Sequence, residues 1–441
     1  MIGICNLLKD QSEVMEKMYS LLISNSLWDL FINIETKLIP IIAVMESWDI
    51  KIDKEKIVGI GKAINEKIKS LEYYAMDLAG KKFQIRSSND LRQILYEELK
   101  LDKVLKIEIK GTASTGVKST AEPILKRLAN IHPFPKAILD YRHLHKFKST
   151  YVDGLLNYMR DNKFISTTWE QFSAATGRIT SSSPNLQAFP KQPLEGFNIR
   201  STFISRTDHS FLSVDFQHIE LRVFAHLASE NKLIEAFHFD QDVFTTITKF
   251  RLKSEIFDPE ERTKTKTLVY AHIYGAGVKK IADILSIDET KASELITQFD
   301  ELFPGLNKFR QKLLIQCRKD KKLITIGGRQ RRFPNINSPD LRAKTYSERQ
   351  AVNFVIQGSA ADICKIAMLC TEQQLRQDKR NSKLLLQIHD ELMWEVEDED
   401  LSEVKATVKN ILESDCWPES VKLKVPLKVK VTTGKNWGEM S

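Results

Sequence analysis

An apolar run from Phe211 to Val214 ends on the acidic Asp215, and a helical pattern, Ile219 to Arg222, begins directly after it. A strand that stops at a carboxylate and turns into a helix holds the charge rigid on one side and open to ligands on the other. An Asp in that place also serves as a helix N-cap. A second pattern, Leu384 to Val396, sets two apolar runs around His389, Asp390 and Glu391, as in a tight hairpin with Asp390 at its tip. Elsewhere helical spacing prevails. Residues 1–26 read as a helix, and from about Val58 to Phe164 the chain is helical and basic. There Ser87, Ser88 and Asn89 offer caps before Leu91, Ile94, Leu95 and Leu99 on one face. In Glu261 to Gly275, Arg262, Lys266, Tyr270 and Tyr274 recur every fourth residue and share a face about 18 Å long. That face suits an extended nucleotide, cations on the triphosphate and aromatics on the base; it also suits an amphipathic helix with its aromatics in the core. Arg349, Asn353 and Gln357 repeat the spacing, all as hydrogen-bond donors. Val421 to Val431 alternates lysine with apolar residues, and Pro426 within it predicts a sheet edge.

At 441 residues the chain is long enough for several subdomains around more than one core. Lys and Arg number 66 against 58 acidic residues, a balance of +8 and a pI near 9.0 that favours a polyanionic partner without identifying one. The five cysteines are odd in number and lack CxxC spacing, so reduced thiols in an intracellular protein are expected and no zinc site is implied. The apolar run Leu38 to Met45 is far short of the ~18 residues that span a bilayer. No Arg precedes Arg86, which argues against an organellar transit peptide. The start predicts a soluble chain with no membrane partner.

Two carboxylates brought side by side, Asp215 and Asp390, repel unless a cation lies between them, and oxygen ligands with spare water positions suit Mg2+. That outlines a two-metal phosphoryl-transfer site. Here SVDFQHIELR and QIHDE resemble the two carboxylate motifs of the DNA polymerase I (family A) enzymes. TGRITSSSPNLQ, ERTKTKTLVYAHIYG and ERQAVNFVIQGSAAD are similar to further motifs of that family, and the wording is most similar to its polymerase nu branch, with polymerase theta next.

The resemblance implies an α/β (α+β) right-hand polymerase fold with an antiparallel-sheet palm, helical thumb and helical fingers. Its expected parts are an N-terminal helix (1–26), palm entry (27–57), thumb (58–164), palm with the first metal carboxylate (165–225), fingers (226–375) and palm with the second (376–441). It implies two Mg2+ ions, with Mn2+ as a substitute, on Asp215, Asp390 and the Phe216 carbonyl, and Glu391 as ligand or outer neighbour. Lys266 is a proton donor to pyrophosphate or an electrostatic clamp. Arg262, Lys266, Tyr270 and Tyr274 bind the nucleotide, and Glu220 excludes a 2′-hydroxyl. Arg178, Asn185, Gln187, Arg329, Arg349, Asn353, Gln357, His389 and Lys148 are the expected DNA contacts.

This chain departs from the family pattern at Ala188, Gln217, His218, Thr263 and Phe244. Phe244 stands where many relatives place a phosphate-binding His, so weaker nucleotide binding is expected. The expected function is template-directed DNA synthesis on primer-template DNA with deoxynucleoside triphosphates. A monomer without proofreading exonuclease is expected, nuclear and acting in repair or translesion synthesis, with protein recruiters unknown. The alternative is a catalytically weak relative that mainly binds primer-template DNA.

Overall fold

The computed structural model describes residues 2–104, 116–414, 417–418 and 421–440, with the backbone alone over 2–11. The chain divides into two compact units. The first takes in Met1–Trp48, Thr167–Gln187 and Thr207–Gly434. At its centre is an antiparallel sheet of β1 (His209–Phe216), β2 (Ser382–Ile388), β3 (Glu391–Glu397) and β4 (Val429–Gly434), in the order β4-β1-β3-β2. Phe211 to Val214 are all buried, so both faces of β1 are covered, and the cover thins at Asp215. β2 and β3 form the predicted hairpin, with only His389 and Asp390 between the paired Ile388 and Glu391. His389 takes the left-handed conformation, φ 55°, in keeping with so short a loop.

Three helices carry further site residues of this unit: α1 (Ile219–Ala228), α2 (Pro259–Ile273) and α3 (Leu341–Gln377). They meet in one buried cluster that includes Leu221, Phe224, Phe244, Val269, Ile273 and Phe354. Each large apolar side chain so buried contributes about 1.5–3 kcal/mol, enough to hold the helices in register with the sheet. One stretch of α3 is apolar enough to pass for a membrane span, but 83% of it is buried inside the protein, as in a core helix. β4 lies at the sheet edge, as Pro426 predicted, yet it starts at Val429 and not at Val421. Proline cannot donate to a ladder, and pairing begins only beyond it.

The second unit takes in Asp49–Ser166, Ala188–Arg206 and Lys435–Ser441 and is mostly helical. Its longest helix, Lys54–Ala79, opens at Asp53, whose carboxylate accepts the Lys56 N–H at 2.9 Å, and closes at Gly80 with φ 67°. That helix packs on Pro133–Phe147. Phe189, Phe203 and Trp437 meet edge to face, with centroids 5.4 and 5.1 Å apart, and the Arg200 guanidinium lies 4.2 Å from the Trp437 ring. The stretch KGTASTGVKST, 110–120, mixes glycines, hydroxyls and lysines as a loop does; its residues 110–115 lie outside the described residues, and Lys118 beyond them pairs with Asp102 at 2.6 Å.

Candidate active site

Strand register decides which carboxylates meet. Asp215 faces Glu391 across the β1–β3 ladder and Lys430 across the β1–β4 ladder. The Phe216 N–H donates to the Asp390 carbonyl at 3.0 Å and ties the hairpin tip to the end of β1. Ser213 donates its hydroxyl to Glu391, which commits one oxygen of that carboxylate to the sheet. Glu220, in the first turn of α1, is buried and accepts from Arg178 Nη2 at 2.6 Å; the same nitrogen stands 3.8 Å from Asp390. Burial raises the Asp390 carboxyl above its ordinary range, against the pull of Arg178 and His389. Burial also raises Glu220, to about 7, with Arg178 opposing and Asp390 adding to the shift. The Tyr270 phenol is pushed up by burial and then by the charges of Glu220, Asp390 and Asp215, so all four share one electrostatic site.

This donor set fits a hard divalent cation. Asp215 and Asp390 offer carboxylate oxygens from adjoining elements, and the cost of burying Asp390 is relieved by positive charge beside it. Among the described residues no group of three or more His, Cys, Asp and Glu side chains forms a metal cage. An ion here would complete its shell with backbone, water and substrate oxygens, which is the habit of Mg2+.

The four-residue stripe of α2 is present. Arg262, Lys266 and Tyr270 lie on the helix and Tyr274 caps it, and the two tyrosine rings are 26° from parallel with centroids 6.3 Å apart. Arg262 Nε donates to Asp242 at 2.6 Å, and Asp242 also caps the helix Val243–Leu252. Phe244 is fully buried, with the cationic groups of Arg262 and Lys266 at 5.8 and 5.9 Å from its ring centroid and His218 edge-on at 4.8 Å. Burial first, then the charge of Lys266, lowers the His218 imidazole to about 4 and keeps it neutral. Sequence reasoning missed Asp242 and His218 as partners of this stripe; the four-residue spacing describes one helix face and is silent about what other elements bring to it. On α3, Arg349 is exposed and its aliphatic part lies against Gly275, at φ 73°. Asn353 is half-buried with its Oδ1 enclosed and without a partner, and Gln357 lies one turn on. An enclosed amide oxygen with no donor costs about 1–3 kcal/mol, a cost that a ligand's donor removes.

Other expected DNA contacts are committed elsewhere. Arg329, expected to contact DNA, is instead buried, its guanidinium bound to Glu35 and Asp362. Two carboxylates enclosed nearby outcompete a solvated loop position, and they come from segments no loop pattern reveals. Gln187 spends its amide on the carbonyls of Ile179 (3.0 Å) and Gln387 (2.8 Å), clipping the loop to β2. Asn185 is exposed and accepts from Ser181 at 3.1 Å. His389 is exposed at the hairpin tip, and its carbonyl accepts from Gln387 at 2.6 Å. In the second unit, Lys148 is paired with Asp153 at 2.9 and 2.8 Å. There Arg86, Arg142, His145 and Lys146 line a pocket of about 320 Å³ with Tyr141, a basic surface.

Residues 54–439 match the family model for DNA polymerase family A. The chain is 37% identical over 428 residues to DNA polymerase I of Lactococcus lactis subsp. cremoris (strain MG1363), covering 96% of this chain and 47% of that protein. It is 34% identical over 413 residues to DNA polymerase I of Bacillus caldotenax, covering 92% and 46%. The chain therefore spans about half the length of the curated relatives it matches. The solved POL domain of Pol1 from M. smegmatis, in complex with DNA primer-template and dNTP, superposes with a TM-score of 0.87 at 30% identity, over 95% of this chain and 72% of that one. The mixed α/β right-hand polymerase fold expected from the motifs agrees with that match. These relatives are bacterial and lend no support to the nu or theta branch or to a nuclear location.

Proposed function

The chain belongs to DNA polymerase family A, and on that premise we propose that it extends a primer 3′-hydroxyl with deoxynucleotides directed by a template strand. The observation that carries this reading is the register that brings Asp215 and Asp390 to one sheet end beside Arg178 and Glu220, within the electrostatic reach of Tyr270 on the cationic stripe. Asp215, Asp390 and the Phe216 carbonyl are the proposed holders of two Mg2+ ions, with Glu391 beside them. When bound, such ions activate the 3′-hydroxyl and neutralise the triphosphate and departing pyrophosphate. Arg262 and Lys266 then hold the phosphates, and Lys266 is the group placed to give a proton to pyrophosphate or to clamp it by charge alone. Tyr270 and Tyr274 support the base and sugar, and Glu220, held by Arg178, closes the space where a 2′-hydroxyl would lie. Arg349, Asn353 and Gln357 on α3, with Arg178, face the primer-template in this proposal; Asn353 is the best supported, because its enclosed oxygen lacks a donor.

The proposed division keeps 58–164 as thumb and 226–375 as fingers, with the sheet as palm. We also propose that these residues act as a monomer, add nucleotides without excising errors and serve gap filling or lesion bypass. Primer extension with deoxy- and ribonucleotides tests the core of this reading. Asp215→Asn and Asp390→Asn are each expected to abolish extension while primer-template binding survives. The second reading, a DNA-binding relative with weak catalysis, is favoured by Phe244 and by Arg262 being tied to Asp242. Tight binding with no extension by the unaltered protein would select it. A 3′-terminal mismatch that is removed in Mg2+ without nucleotides would sink the claim of no excision.

A further inference from the structure

Arg329 sits in a buried cluster of balanced charge. Its Nη2 donates to Glu35 at 2.5 Å and to Asp362 at 2.9 Å, and its Nε donates to Asp362 at 3.1 Å. Lys365 binds Glu35 at 2.9 and 3.1 Å, so two cations and two carboxylates, all buried, close on one another. Charge balance alone does not require the planar shape of an arginine. What that plane covers is Gly177, at φ 79°: a Cβ there would fall 2.1 Å from Arg329 Nε, 2.5 Å from Cδ and 2.6 Å from Cζ. On the other side, Gly358 lets α3 approach the same turn. A Cβ on Gly358 would lie 3.1 Å from the Thr176 carbonyl and 2.6 Å from Thr325 Cγ2. The Thr176–Gly177 turn is thus gripped between a guanidinium and a helix, and the next residue is Arg178, which spans Glu220 and Asp390.

We propose that Arg329 is a positioning residue: held by Glu35 and Asp362, it bears on Gly177 and so sets where Arg178 meets the site carboxylates. The proposal rests on the polymerase reading for its effect on rate, and on the structure alone for its effect on Arg178. A displacement of about 1 Å in a reacting assembly costs on the order of 100-fold in rate, so a small slip of the turn is measurable.

The test compares Arg329→Lys, Arg178→Ala and the double variant in single-nucleotide incorporation. The Arg178 Nε–H NMR signal, identified by its loss in Arg178→Lys, is followed in parallel. The expected result is that Arg329→Lys shifts the Arg178 signal and lowers kcat ~10–100-fold while nucleotide KM moves less than about 3-fold. In the Arg178→Ala background the same change adds less than about 2-fold, because the group it positions is gone. The salt dependence of DNA binding stays as in the unaltered protein. An unmoved Arg178 signal, an additive loss in the double variant, or a salt slope reduced by about one phosphate contact would overturn the proposal, the last by placing Arg329 on DNA. Should Arg329→Lys fail to fold, Glu35→Gln, which loosens the arginine from one side, carries the same readouts. If the unaltered protein does not extend a primer, the polymerase reading fails, and the NMR signal still decides whether Arg329 positions Arg178.

Discussion

Replacing Lys365 by Met removes one charge from a cluster that holds two cations and two carboxylates, and leaves the shape of the side chain nearly intact. Lys365 is 1% exposed, with its ammonium 2.9 and 3.1 Å from the two Glu35 oxygens and 3.5 Å from the Gln171 carbonyl. Removing one partner of a buried pair costs about 3–5 kcal/mol, because the other charge stays enclosed without compensation. Arg329 still reaches Glu35, so the lower end, about 3 kcal/mol, is expected. At about 2 cal/mol/K of unfolding entropy per residue, in a unit of roughly 300 residues, that lowers Tm by about 5 °C. Thermal and urea melts followed by tryptophan fluorescence at pH 7.5, with a chelator present, measure it. The pH dependence has a definite sign. Burial alone would raise Glu35, but Lys365 and then Arg329 outweigh it and hold the carboxyl below its usual range. Without Lys365 the folded-state pKa of Glu35 rises above its present one, and protonation in the folded state relieves the excess negative charge. The deficit of the variant is therefore largest at neutral pH and shrinks on acidification. Adding Glu35→Gln restores charge balance and recovers part of the loss. A deficit under about 1 kcal/mol at pH 7.5, or one that widens on acidification, would refute the reasoning.

His218, lowered to about 4 by burial and then Lys266, is neutral when folded and protonated near 6.5 when unfolded. The unfolded state binds more protons between those values, so stability falls by about 2 kcal/mol from pH 7.5 to 5, and His218→Gln flattens that slope in urea melts with chelator. Asp242→Asn keeps the helix cap and releases Arg262 from its ion pair. Both partners are more than a third exposed, so the pair is worth ~0.2–1 kcal/mol, and nucleotide KM in single-nucleotide extension is expected to fall up to about 5-fold; an unchanged or higher KM shows that the pair does not hold Arg262 back from the nucleotide. Gly358→Ala drives a methyl to 2.6 Å from Thr325 Cγ2 and costs about 1–3 kcal/mol in urea melts. Thr325→Ser, which removes that methyl and keeps the hydroxyl bonded to Asp362, is expected to recover part of it.

Local pattern was enough to show that Asp215 stands near the end of β1, that Asp390 stands at a hairpin tip, and that Arg262, Lys266, Tyr270 and Tyr274 share a face of α2. Each of those facts depends on the period of one element, 2 for a strand and 3.6 for a helix, and a period is written in the chain itself. The family membership was legible for the same reason, since its motifs are short contiguous stretches. Arg329 shows where that legibility ends. Within its own loop it is one of three arginines behind two glycines, and nothing nearby distinguishes it from Arg331 or Arg332. Its partners, Glu35 and Asp362, lie in distant segments, and only packing brings them to it. Gln187 likewise bonds to Gln387 and Lys148 to Asp153, because a polar side chain goes to whichever partner the fold places nearest. The Asp242–Arg262 pair and the Arg178–Glu220 bridge escaped notice too. The sequence by itself determined the elements, the family and the chemistry-bearing positions; the tertiary structure alone decided which charged groups remain available to a ligand and which are spent on one another, because a buried charge is governed by neighbours within about 4 Å, whatever their distance along the chain.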